Sequence, residues 1–197
     1  MYFPKLILRA AVALVLTVTG CSNSDTESGV DSSKPYNDTD VTFATDMIKQ
    51  HAQALEMVDL TMRRELDPTV AALAEEIRFA QAPEVEQMVA FLNRWDYQDI
   101  PETSRDHANA HGDGDMEMDA SVPGMMSSEE MKTLEEAKGP EFQTRWLEMM
   151  IQHHEGAIEM ASTEAYDGED RAAVALAEDI IKSQGDQVKT MQNLLDG

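Results

Sequence analysis

The chain is poor in cysteine, aromatic residues, positive charge and long apolar runs, and each shortage excludes something. Cys21 is the only cysteine among 197 residues, so no disulfide can form within the chain. Lys and Arg number 15 against 38 Asp and Glu, a formal charge of −23. Neutralising phosphates needs clustered cations, so nucleic acid is excluded as a partner, as is a lipid surface gripped by a basic face. No stretch alternates with period two for long enough to make a strand. Catalytic motifs are missing too. There is no Gly-rich phosphate loop and no Gly-x-Ser-x-Gly elbow. The zinc-hydrolase spacing His-Glu-x-x-His is begun at His154-Glu155 and not completed. The residues three before His51, His153 and His154 are Ile48, Met150 and Ile151, so the Glu-x-x-His pair of a di-iron site is absent. The chain therefore reads as a protein that is not an enzyme, with metal oxidase the least favoured alternative.

What is present begins with an address. Lys5 and Arg9 precede the short apolar run Ala10–Thr19, which is too short to span a bilayer comfortably. Residues 1–20 read as a signal peptide, and Val18-Thr19-Gly20-Cys21 resembles the bacterial lipobox. Cys21 is then the lipidated first residue of the mature chain, anchored in a cell membrane and facing the periplasm or the exterior. The alternative is an ordinary signal peptide with a chance cysteine. Residues 21–38, polar and without apolar periodicity, read as a flexible tether.

An internal duplication organises the remainder, residues 39–197. Shifted by 103 residues, Asp46–Leu92 lies on Met149–Leu195 without a gap, and about a third of the 47 pairs are identical. Each half reads as a helical hairpin. The first (40–95) has helices at about 40–65 and 68–95, with Asn37, Asp38 and Asp40 as candidate caps and a kink or break at Pro83. The second half (128–197) has helices at about 140–166 and 170–195, preceded by a short helix over 128–138 whose Ser127 and Glu130 make a capping box. Pro and Gly mark 96–127 as a long central loop. Two amphipathic hairpins bury their apolar faces best against each other, which gives an all-α four-helix bundle.

Helical geometry places the chemistry. At 100° per residue His51 falls on the bundle-facing stripe one turn after Met47. His153 and His154 straddle the matching stripe around Met150, while Met57 and Met160 sit at its edge. Glu56 and Glu159 point away and read as solvated. Methionine at helical spacing is commonly core filler, and a histidine on an apolar face is commonly structural. Against that, the pattern recurs in both halves, and thioether and imidazole are the soft and borderline donors that suit copper. The loop adds His107, His111, Met116, Met118, Met125 and Met126, which read either as further Met/His ligands or as a disordered acidic linker with incidental methionines.

Phe43, Met47-Ile48, His51, Ala54 and Met57, with Trp146 and the run Met150-Ile151-Gln152-His153-His154-Glu155-Gly156-Ala157-Ile158-Glu159-Met160, resemble the bacterial domain of unknown function 305. So do Leu73-Ala74, Gln81 and Met88, with Leu176-Ala177, Gln184 and Met191. The resemblance covers about residues 40–195. It implies a ferritin-like four-helix bundle, secreted or membrane-anchored, with copper binding through Met and His in some members. Carried over by position, it points to Met47, His51, Met57, Met150, His153, His154 and Met160 as ligands for Cu(I) or Cu(II). One departure stands out: the His-His pair is intact only in the second half, where the first has Gln50-His51. The functional expectation is a lipid-anchored copper-binding protein that buffers or delivers the ion. The alternative is a metal-free bundle acting as an interaction module at the cell surface.

Overall fold

The computed structural model describes residues 34–101 and 122–197. Among the described residues there are five helices and no strand: α1 (Asp38–Asp59), α2 (Pro68–Arg94), α3 (Ser128–Glu136), α4 (Gly139–Asp167) and α5 (Arg171–Asp196). Helices α1 and α2 form one hairpin and α4 and α5 the other, and the hairpins meet mainly through α1 against α4. This is the expected all-α bundle. The signal peptide, Cys21, His107, His111, Met116 and Met118 lie outside the described residues.

The caps follow the sequence. Asn37 and Asp40 close a reciprocal capping box on α1, Ser127 and Glu130 another on α3, and Asp67 and Asp170 cap α2 and α5. Three expectations need correction. Helix α1 ends at Asp59 rather than near Glu65. There the Thr61 hydroxyl donates to the Val58 carbonyl, while Arg64 donates to the carbonyls of Leu60, Glu135 and Ala137 and stacks over the Phe142 ring. These bonds give the carbonyls at the helix end other partners. Helix α2 runs unbroken through Pro83. The proline and Phe79, whose carbonyl loses its donor, are both exposed, so water can take the missing bond. Finally, the tether does not extend to residue 38. Tyr36 stacks on Trp95 with ring centroids 5.0 Å apart and donates to its carbonyl, and Asn37 donates to the carbonyl of Asp167.

The duplication is visible as an approximate twofold. The backbone N–H of Asp67 donates to the Gln143 side chain at 2.8 Å, and that of Asp170 donates to Asp40 at 2.9 Å. Both donors and both acceptors are 103 residues apart, so each hairpin binds the cap of the other's second helix. Helices α1 and α4 run antiparallel: the Trp146 indole donates to the Met57 carbonyl at one level and Gln50 donates to the His153 carbonyl at another.

The core has two apolar clusters. One gathers Met57, Ile77, Leu134, Phe142, Trp146 and Met150; the other gathers Phe43, Met47, Met88, Leu92, Trp95 and Ile180. Every long helix passes from one cluster to the other, and the crossing point falls at Gln50–Gln53, Gln81–Glu84, His153–Gly156 and Gln184–Gln187. A polar layer thus divides the core at mid-height.

Candidate metal site in the polar layer

Helical periodicity turns His51, His153 and His154 inward, and all three are buried. The Nε2 of His51 lies 2.7 Å from a carboxylate oxygen of Glu84 on α2. The Nε2 of His154 lies 2.8 Å from the side-chain oxygen of Gln187 on α5. The two contacts are repeat-related, since each partner stands 33 residues after its histidine. A carboxylate only accepts, so His51 carries its proton on Nε2. Gln187 donates through its own nitrogen to Glu76 at 3.2 Å, which fixes its oxygen toward His154 and puts that proton on Nε2 as well.

This leaves the Nδ1 of both rings, and both nitrogens of His153, buried with no hydrogen-bond partner among the described residues. His153 and His154 have ring centroids 6.3 Å apart. Burial, then the neighbouring His154 and His51, hold His153 well below the ordinary imidazole range. Burial likewise lowers His154 to about 4, partly offset by its bond to Gln187. Both are therefore neutral at pH 7, as metal ligands must be.

The layer contains more than the sequence singled out. Gln81 and Gln184, identical across the repeat, are buried with neither amide atom bonded among the described residues, and the side-chain oxygen of Gln50 is also unpartnered. Buried polar atoms are almost always satisfied, so such a cluster of orphans marks a place for a ligand or ordered water. Gln81 precedes Glu84 by three residues and Gln184 precedes Gln187 by three, which puts each pair on one helix face. In the sequence Gln81 and Gln184 stand out only as residues of the family resemblance, without a role. Their signal was a polar residue on an otherwise apolar stripe.

The thioethers divide. Met47 and Met150 are fully buried one turn before His51 and His154, and they flank the layer from opposite clusters. Met57 is fully buried two levels away, where its carbonyl meets Trp146. Met160 is half-buried and lines a surface cleft with Asp38, Thr42, Phe43 and Asp46. Among the loop methionines described, Met125 is half-buried, whereas Met126 is fully buried in the first cluster. Packing accounts for Met126, a role that neither the ligand reading nor the disordered-linker reading of the loop gave it. Glu56 and Glu159 are exposed, as expected.

Val122–Met126 forms a strap over this level of the bundle. Gln53 donates to the Met126 carbonyl at 2.8 Å and accepts from its N–H at 2.7 Å, and Gln50 donates to the Pro123 carbonyl at 2.7 Å. On α4 the strap lies so close that a Cβ at Gly156 would stand 2.3 Å from the Pro123 oxygen. Gly124, at φ +75°, makes the matching approach to the backbone of Gln152 and His153.

Among the described residues no three His, Cys, Asp or Glu side chains are arranged to hold a metal ion as they stand. The residues nonetheless fit a soft ion in kind. They offer neutral imidazoles with bare nitrogens, outer N–H groups held by second partners, and buried thioethers beside them.

The profile of a domain of unknown function, DUF305, matches residues 40–195. A DUF305 fragment from Deinococcus radiodurans is 28% identical, with a TM-score of 0.68, covering 83% of this chain and 99% of that one. A DUF305 protein from Streptomyces coelicolor is also 28% identical, with a TM-score of 0.67, covering 80% and 91%. CopM in its Cu(II)-bound form is 25% identical, with a TM-score of 0.61, covering 80% and 95%. No curated protein sequence matches.

Proposed function

The chain belongs to the DUF305 family, and we propose that it binds copper in the polar layer between its two hairpins, as a buffer or delivery protein outside the cytoplasm. The observation that carries this reading is the set of three buried imidazoles, each with a ring nitrogen that has no partner among the described residues. His51, His153 and His154 would supply nitrogen, with sulfur from Met47 and Met150. Met57 and Met160 are further candidates at a greater distance. Loop residues His107, His111, Met116, Met118 and Met125 would serve as a separate capture segment. Bound there, copper supplies only ligand exchange; the protein residues orient, desolvate and release it. Glu84 and Gln187 hold the rings, the apolar clusters exclude water, and Gln50 and Gln53 hold the strap in place.

The relatives support copper as the ion, since CopM has been solved with Cu(I), Cu(II) and silver. Attachment to a membrane through lipid on Cys21 is supported by the lipobox-like Val18–Cys21. No helix among the described residues is long and apolar enough to cross a membrane.

The test is competition for Cu(I) against a chromophoric chelator. The chain should compete effectively, and His154→Ala combined with Met150→Ala should weaken it by ten-fold or more. Equal, poor competition by both proteins overturns the reading.

A further inference from the structure

We propose that the polar layer is built for a cation of a single positive charge, and that Glu84 is the positioning residue that sets this valence. The inference rests on the copper-binding reading and adds to it which oxidation state the site selects.

The layer is almost free of charge. An imidazole that binds a metal does so in its neutral form, which fixes His153 and His154 as uncharged ligands, and Gln50, Gln81, Gln184 and Gln187 are amides. The thioethers of Met47 and Met150 carry no charge either. Among the described residues one carboxylate bonds a ring of the layer directly, that of Glu84 at 2.7 Å from His51. At the repeat-related position stands Gln187, an amide of nearly the same shape making the same contact at 2.8 Å. A second carboxylate, Glu76, reaches the layer only through the Gln187 amide and sits in an exposed position, where solvent screens it.

At this pair of positions shape and hydrogen bonding are therefore alike, while charge is not. The cost of burying net charge rises with its square, so this difference decides among ions with similar donors. A monovalent ion balanced by Glu84 leaves the layer neutral. A divalent ion leaves one buried positive charge, and among the described residues the further carboxylate bonded into the layer, Glu76, stands behind the Gln187 amide. Donor type alone would point the other way, because imidazole nitrogen also suits divalent copper and zinc. The charge count favours the soft monovalent class, Cu(I) and Ag(I).

Silver and zinc test this without redox complications, one for each valence. Affinities of the full chain for Ag(I) and Zn(II), by competition titration, should favour Ag(I). Glu84→Gln should weaken Ag(I) by about 10- to 100-fold, the range seen when an outer partner of a metal-bound histidine is lost. Glu84→Asp should restore part of it. Gln187→Glu supplies the second carboxylate, and should raise Zn(II) affinity by ten-fold or more and narrow the preference. It keeps the proposal testable should Glu84→Gln fold poorly. A ratio of Ag(I) to Zn(II) affinity unmoved by these substitutions, with silver still bound, overturns the valence proposal and leaves the copper reading standing. Wild-type protein that binds neither silver nor Cu(I) overturns both.

Discussion

The two hairpins agree in scaffold and disagree in the polar layer. Their caps, their cross-hairpin bonds and the 33-residue spacing from histidine to partner are repeated. The layer repeats His51 and Gln81 as His154 and Gln184 but differs elsewhere: Gln50 faces His153 across the approximate twofold, Gln53 has Gly156 as its counterpart, and Glu84 has Gln187. A duplicated scaffold supplies two equivalent surroundings, and these substitutions turn them into one asymmetric site. The first hairpin grips the strap with side chains; the second makes room for it by having none.

That contrast can be broken most severely at Gly156. Gly156→Gln imports the first hairpin's residue where even a Cβ meets the Pro123 oxygen at 2.3 Å. The strap must be displaced, and chemical denaturation should show a loss of more than about 3 kcal/mol. Acid is the next probe. His154 is neutral in the fold down to about pH 4, whereas an unfolded chain takes up that proton near 6.5. The unfolded state binds more protons across this window, so stability is intact above pH 6.5 and falls as pH drops toward 4. This single ring accounts for about 3 kcal/mol of the loss, and His153 adds to it in the same direction. Urea midpoints between pH 7 and 4 measure the slope, which His154→Gln should flatten.

A smaller effect separates the turns that end α1 and α4. In the first hairpin Thr61 bonds back to Val58; its counterpart, Glu164, is buried beside the Asp40 carboxylate. Burial, reinforced by Asp40 beside it and then by Asp170, pushes Glu164 up to about 8. The fold keeps it protonated while the unfolded chain ionises from 4.5 upward, so stability falls as pH rises through that interval. Glu164→Gln should gain about 1–2 kcal/mol at pH 8 and nothing at pH 4, read from melting curves at the two pH values. Last, Phe79, whose counterpart is Lys182, is 75% exposed. Phe79→Ser should change stability by less than about 0.5 kcal/mol.

Periodicity and the 103-residue shift were enough to read the bundle, the inward aim of His51, His153 and His154, and the burial of Met47 and Met150. They carry this information because helix faces are set locally. The ring partners were not legible. Glu84 and Gln187 lie on other helices, and the register between paired helices depends on turns such as 60–67, where α1 stops short of its apolar pattern. The strap was hidden for a related reason. Pro123 and Gly124 mark a loop by composition, yet loop composition does not tell that Met126 is held at the core by a reciprocal pair of bonds with Gln53. Pro83 misled in the opposite sense, since its cost depends on which side of α2 it occupies.

The reciprocal bonds between each hairpin and the other's cap give one further consequence. A half-length chain carrying a single hairpin would present a self-complementary face, and two copies related by a true twofold could make the same architecture. In such a homodimer every residue is present twice. Glu84 could not stand opposite Gln187, nor Gln50 opposite His153, because both subunits would carry the same side chain. The covalent join between the halves is what permits their midplane to be unequal.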